Sequence, residues 1–280
     1  MNKNLFHMAR AGKTFFFASL WLPQEVREDA AIAYSFCRAV DDIADETVGG
    51  GGPALADILS AIEQRNPTSP QVAGVLALIQ RYPSVEAPLL ELVRACARDG
   101  AGVTIANEEE LLKYCQGVAG TVGLVMYPIL GGTDEAGRAS AEALGMAMQC
   151  TNIARDVLAD SQRGRCYLPT AWLGGVDPAD LARGDERCER EAVAAVARLL
   201  ELAASQYRFG LEGLEFLRAD CRRGIEIAAR CYEGIGARAI EQGRLSRVRA
   251  VVPLVRKMQI AARVYLTSQA SPRRVFAFSK

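Results

Sequence analysis

The stretch that most constrains the fold is TDEAGRASAEALGMAMQCTNIARDVLADSQ, from Thr133 to Gln162. Its apolar residues return every three to four positions, the period of a helix and not of a strand. Thr133 reads as the N-cap, with Asp134 and Glu135 in the first turn, where the helix dipole favours acids. The same period dominates the rest of the chain, and no convincing run alternates as a strand would. An all-α chain follows.

A second long helix opens at Pro23 and Gln24 and ends in YSFCRAVDDIADE. TVGGGGP after it is a flexible break. Shorter helices follow, punctuated by Pro67, Pro70, Pro83 and Pro88. NEEELLKYCQGVAGTVGLVMYPIL is one helix with acids in its first turn. RGRCYLPTAWLGGVDP is a loop, two or three long helices then run to near Ser268, and SPRRVFAFSK is expected to be loosely ordered. No linker or repeat divides the chain, so residues 1–280 are read as one all-α domain of about ten helices.

Composition narrows the function. The 33 basic and 33 acidic residues cancel, which removes any global attraction to nucleic acid or anionic lipid. The eight cysteines form no CxxC pair and His7 stands alone, which argues against a Cys/His zinc site. The cysteines read as small buried hydrophobes. MNKNLFHMARAGKTFFF lacks a signal-peptide layout, so a reducing cytoplasm is expected. No apolar run reaches the ~18 residues of a spanning helix. GVAGTVGLVMYPILGG comes nearest, and is read as a core helix. AGKT at Ala11–Thr14 lacks the upstream glycine of a P-loop, and GIGARA at Gly234–Ala239 sits in a helical stretch where close packing explains its glycines.

Two acidic faces remain. Asp41 and Asp45 share a helix face with Asp42 beside them, and Arg38, Tyr34 and Ala31 continue the stripe backwards. In QCTNIARDVLAD, Asn152, Asp156 and Asp160 recur every four residues, with Gln149 three before Asn152. A solvated face would carry basic partners four residues away, and neither acidic core shows one. Stacked carboxylates repel unless a cation compensates. Two such faces opposite each other would form an all-oxygen site suited to Mg²⁺, which completes its shell with substrate phosphate. Arg38, Arg155, Arg163, Arg165 and Lys13, which precedes the first helix, would then hold diphosphate oxygens.

AIAYSFCRAVDDIADE, VAGTVGLV and QCTNIARDVLADSQRGRCYLP resemble the squalene/phytoene synthase family, and the resemblance runs from about Gly12 to about Leu266. It implies an isoprenoid synthase helical bundle with a central cavity, in which two isoprenoid diphosphates are joined head to head through a cyclopropyl diphosphate. It implies that Asp41, Asp42, Asp45, Asp156 and Asp160 hold Mg²⁺ (Mn²⁺ being an alternative), and that Asn152 and Gln149 belong to the same site. Lys13, Thr14, Arg38, Arg155, Arg165 and Arg247 would meet substrate; Tyr34 and Tyr232 would line the cavity. The proton acceptor would be a diphosphate oxygen or a tyrosine, and His7 has no expected role. Small Ala31 and Ser19 favour a deep pocket and a C20 substrate, hence phytoene; farnesyl-using squalene, dehydrosqualene or presqualene diphosphate synthesis is the alternative. Gln116 stands where many relatives carry a tyrosine associated with the later steps, which raises the prospect of arrest at the cyclopropyl diphosphate. NADPH is not expected. Peripheral membrane contact fits the lipid substrate, although no docking face is legible. A non-catalytic assembly protein and a head-to-tail elongase or terpene cyclase are the rival readings.

Overall fold

The computed structural model describes residues 3–46, 51–99 and 104–270. Thirteen α-helices are found among them: α1 Lys3–Ala11, α2 Lys13–Ser19, α3 Gln24–Glu46, α4 Gly51–Glu63, α5 Pro70–Arg81, α6 Glu86–Asp99, α7 Glu108–Cys115, α8 Thr121–Ile129, α9 Glu135–Gln162, α10 Pro178–Ala182, α11 Glu186–Glu212, α12 Arg222–Gly236 and α13 Leu254–Ala270. The count exceeds the ten expected because short pieces form where the sequence hides a break. Gly12 splits α1 from α2, so Lys13 opens the second helix and does not precede the first. A Cβ at Gly12 would fall 2.6 Å from the Tyr34 ring, so only glycine lets this break lie against α3.

Other boundaries shift for local reasons. Asp134, not Thr133, caps α9, its carboxylate accepting from the Ala136 N–H at 2.8 Å. Part of the predicted glycine break is helical: Gly51, Gly52 and Pro53 form the first turn of α4, where proline lacks only an N–H that would be unpaired anyway. Residues 47–50 and the tail SPRRVFAFSK, beyond Ala270, lie outside the described residues. A two-stranded antiparallel hairpin, β1 Ile240–Glu241 and β2 Arg244–Leu245, was not expected. Gln242 and Gly243 both take positive φ, 53° and 74°, as its tight turn requires.

Helices α7 and α8 form one rod, as read from the sequence, but Gln116–Gly120 winds as a π-turn between them. The rod lies against α9 with almost no side chain between. A Cβ at Gly123 would sit 2.0 Å from the Ala141 carbonyl oxygen, and one at Gly145 would sit 2.1 Å from that of Ala119. Gly123 of VAGTVG and Gly145 of α9 therefore bring two backbones together.

Two hydrophobic clusters organise the rest. One gathers Ile153 and Val157 of α9 with Val196 and Leu199 of α11 and Tyr232 of α12. The other gathers Phe36, Val40 and Ala44 of α3 with residues of α4, α5, α6 and α8. All eight cysteines are free, and six are buried, as small apolar residues would be. Gly236 fits α12 against α11, since a Cβ there would meet Leu200 at 2.9 Å.

Glu189 on α11 is buried, its side chain 6% exposed, and accepts from Arg244 and Arg247 at 2.8 Å each. The hairpin is thereby tied to α11. These arginines, Arg244 first, hold the Glu189 carboxyl below its ordinary value. Its contribution is present above the unfolded-state value and is lost as pH falls through the lowered folded value. Glu189→Gln is expected to cost about 2 kcal/mol at neutral pH and to flatten the acid limb of a stability–pH profile; an unchanged limb would refute the linkage.

Candidate active site

The acidic ends of α3 and α9 belong to different hydrophobic clusters, so they meet at the seam between the two. Both helices pack on α8. The loop after α9 closes the gap: Arg165 pairs with the Asp45 carboxylate on α3 and donates to the Asp45 carbonyl at 3.1 Å. Asp45 and Asp160 are close enough to act on each other electrostatically. The two stripes read separately in the sequence are thus brought to one place.

The aspartates have arginine partners. Arg38 pairs with Asp41 at 3.1 Å and with Asp42 one turn on. The sequence reading that the acidic cores lack a basic residue four positions away is corrected by this Arg38–Asp42 pair, which is an i,i+4 contact. Asp156 accepts from Arg155 Nε at 2.9 Å and from Arg249 at 3.1 and 3.3 Å. Among the described residues, the salt-bridge partner of Asp160 is Arg163, at 3.9 Å. Gln149 accepts from the Asn152 amide at 3.2 Å.

These partners sort the carboxyls. Burial would raise Asp156, but Arg155 and Arg249 together bring it below its ordinary value. Asp160 is pushed up to about 6, first by loss of water and then by Asp156 and Asp45, with Arg163 and Arg165 opposing. Asp41 also rises to about 6: lost hydration outweighs Arg38, and Asp45 and Asp42 add to it. Solvent reaches 54% of the Asp41 side chain and screens part of this effect.

No three of these acids are drawn together as a ready metal cage among the described residues. The donor set nevertheless fits a hard divalent cation. It is all oxygen, it spans both faces, and at Asp41 and Asp160 burial disfavours a carboxylate that has no cation beside it beyond the neighbouring arginines, which a bound divalent cation would offset.

An aromatic wall adjoins the acids. Phe15 of α2 lies between Tyr34 and Tyr232, with ring centroids 5.8 and 5.0 Å away. Burial raises both tyrosines, Tyr232 to about 12, so both remain phenols at neutral pH. Thr14 and exposed Lys13 open α2 beside this wall. Of the RLSRVR cluster, Arg249 is the residue at the aspartates; Arg247 turns away to Glu189. Ala31 is fully buried, but it packs with Leu5 and Met8 of α1. Ser19 is also buried, its hydroxyl closed on the Phe16 carbonyl at 2.8 Å. Neither marks an open pocket floor.

The sequence reading missed a polar cluster. Tyr114 and Tyr167 stack with centroids 5.1 Å apart, and both donate to Asp99 Oδ2, at 3.1 and 3.2 Å. Asp99 acts electrostatically on Asp41, so the cluster borders the acids. Its one sequence signal was the tyrosine of RGRCYLP. Gln116 points elsewhere, donating to Glu142 at 2.9 Å on the exposed flank.

An all-helical scaffold carrying two aspartate faces across a seam, interleaved with arginines and backed by aromatic rings, has the make-up of an isoprenoid synthase. Residues 8–256 match the squalene/phytoene synthase family, and the chain belongs to it. It is 38% identical over 239 residues to the phytoene synthase of Thermus thermophilus, a match covering 83% of this chain and 81% of that one. It is 31% identical over 248 residues to the 15-cis-phytoene synthase of a Paracoccus species, covering 84% and 81%. Among solved structures, a dehydrosqualene synthase in complex with ligand superposes with a TM-score of 0.86 at 26% identity, covering 96% of both chains. Members of this family are prenyltransferases that join isoprenoid diphosphates. Among the described residues, no helix is long and apolar enough to cross a membrane.

Proposed function

We propose that this chain, folding as one domain, joins two molecules of geranylgeranyl diphosphate head to head to make phytoene. The observation that carries the reading is the Arg165–Asp45 contact, which brings the aspartates of α3 and α9 to one seam. The C20 chain length rests on the relatives named phytoene synthases, since Ala31 and Ser19 no longer argue for it.

Asp41, Asp42, Asp45, Asn152, Asp156 and Asp160 would hold Mg²⁺, with Mn²⁺ as a substitute and Gln149 orienting Asn152. Bound there, the metal would neutralise charge on the leaving diphosphate. Arg38, Arg155, Arg165 and Arg249, with Lys13 and Thr14 at the head of α2, bind the diphosphate oxygens and stabilise the charge released as the C1–O bond breaks. Phe15, Tyr34 and Tyr232 exclude water from the allylic cation. The double bond of the second substrate attacks C1, and a proton leaves to a diphosphate oxygen as the cyclopropane closes. Loss of the second diphosphate, rearrangement to the C1–C1' bond and loss of another proton give a central double bond, so no hydride from NADPH is required. The enzyme works in the cytoplasm, in peripheral contact with a membrane, and takes no nucleic acid partner.

Gln116 favours a second reading. Its side chain is committed to Glu142, and no hydroxyl reaches the site from that position; the reaction would then stop at the cyclopropyl diphosphate. Incubation with geranylgeranyl diphosphate and Mg²⁺, without NADPH, followed by mass spectrometry, separates the two. Phytoene is expected, with formation abolished by EDTA and restored by added Mg²⁺. Accumulated cyclopropyl diphosphate would select the second reading. Failure to consume either geranylgeranyl or farnesyl diphosphate would refute both.

A further inference from the structure

We propose that the outer face of α13, with the strand of chain leading into it, docks on a lipid bilayer carrying anionic headgroups. This gives a surface to the membrane contact proposed above, and it rests on that reading for why a bilayer should be near.

Helix α13 packs inward through Lys257, Ala261 and Val264. Its opposite face carries Leu254, Val255, Met258, Tyr265 and Leu266, between 47% and 69% exposed, with exposed Ala262 among them. These positions recur three to four residues apart, so they form one continuous apolar stripe. Val248 and Val251, 78% and 61% exposed, lead into it. Seven of the ten large exposed hydrophobics among the described residues therefore fall between 248 and 266, and so concentrated a patch marks an interaction site.

Charge selects the occupant. After Glu241 the chain has nine lysines and arginines and no acid, although the whole chain is balanced. Arg244, Arg247 and Arg249 are taken by Glu189 and Asp156. Arg256 and Arg263 border the stripe, and Arg223 sits over the Tyr265 ring at 5.1 Å. A second copy docking through this face would set these cations against their own duplicates. An apolar stripe edged by arginines and an aromatic ring suits the boundary between headgroups and acyl chains. The patch also adjoins the site: Arg249, on Asp156, stands between Val248 and Val251. A prenyl chain leaving the bilayer would have a short path to the aspartates.

The test is co-sedimentation of the whole protein with phosphatidylcholine vesicles, with and without phosphatidylglycerol, over a salt series. The wild-type protein is expected to pellet with the anionic vesicles and to be released by salt. The double variants Val255→Asp/Met258→Asp and Arg256→Glu/Arg263→Glu are each expected to bind at least about tenfold more weakly. Circular dichroism and turnover of detergent-dispersed geranylgeranyl diphosphate should be unchanged in both. Should a double variant misfold, the lipid and salt dependence of the wild-type protein and the single variant Val255→Gln still decide. A wild-type protein that stays in the supernatant with both vesicle types overturns the proposal, as do folded variants that bind like wild type. Concentration-dependent dimerisation lost in the variants, without vesicle binding, overturns it in favour of a second copy. Failure to turn over dispersed substrate would count against the catalytic reading alone, because vesicle binding is measured without substrate.

Discussion

Asp160→Asn is expected to unfold at a higher temperature than the wild-type protein and yet to lose activity by about 10²–10³-fold. The two effects share one cause. The Asp160 side chain is 17% exposed and its nearest cation, Arg163, is 3.9 Å away. Its carboxyl is raised from the ordinary 3.8 to about 6. Between these values the folded protein binds a proton that the unfolded chain has released, so stability falls as pH rises through this window. At neutral pH the charged group is a net burden, which an amide removes. The gain should be roughly 1–2 kcal/mol, or about 4 °C in Tm. Asp41→Asn should change in the same direction, more weakly because its side chain is 54% exposed. Thermal unfolding at two pH values and product release with geranylgeranyl diphosphate and Mg²⁺ measure both effects. A lowered Tm would show that the carboxylate is not repelled; retained activity would remove Asp160 from the proposed metal set.

Gly145→Ala, like Gly123→Ala, should be among the most damaging single methyl additions in the core. The added carbon would lie 2.1 Å from the Ala119 carbonyl oxygen, which is backbone and cannot rotate aside. Relief requires α9 to move off the α7–α8 rod, which also separates Gly123 from Ala141. The expected loss is about 3 kcal/mol, near the upper end for overpacking, or roughly 6–12 °C in Tm for a chain of this size. Alanine is the better helix former, so a raised Tm would mean that the helices are not in backbone contact. Differential scanning calorimetry of the purified variant suffices. Gly164→Ala bears on a different point: no neighbour would obstruct its Cβ, and only its positive φ of 73° opposes the change.

What could be read in the sequence was whatever repeats along one helix. The α3 and α9 stripes, the long rod through VAGTVG and the absence of extended sheet all follow from local period. That the stripes share a seam was an expectation, and it took Arg165, which lies 120 residues from Asp45, to give it geometry. Arginine pairing was misjudged because Arg38 was read as a diphosphate ligand one turn before Asp41, when its guanidinium reaches both Asp41 and Asp42. The Asp99–Tyr114–Tyr167 cluster was missed because its members come from three separate segments, of which only that of Tyr167, in RGRCYLP, stood out in the sequence. Ala31 misled for the opposite reason: a small residue on the right stripe implies space only if no other element fills it, and α1 does. The α13 face was hidden by zero net charge, an average that conceals nine cations gathered at one end of the chain.

The π-turn at Gln116–Gly120 has a topological consequence. A regular α-helix presents each neighbour with a face whose direction is fixed by the residues before it, about 100° per step. One wide turn resets that phase. Before it, Leu111 and Cys115 enter the cluster of α9 and α11; after it, Val125, Tyr127 and Ile129 enter the cluster of α3 and α6. A single rod thus behaves as a coupling between two cores that want different angular settings, and the seam where those cores meet is where the aspartates gather.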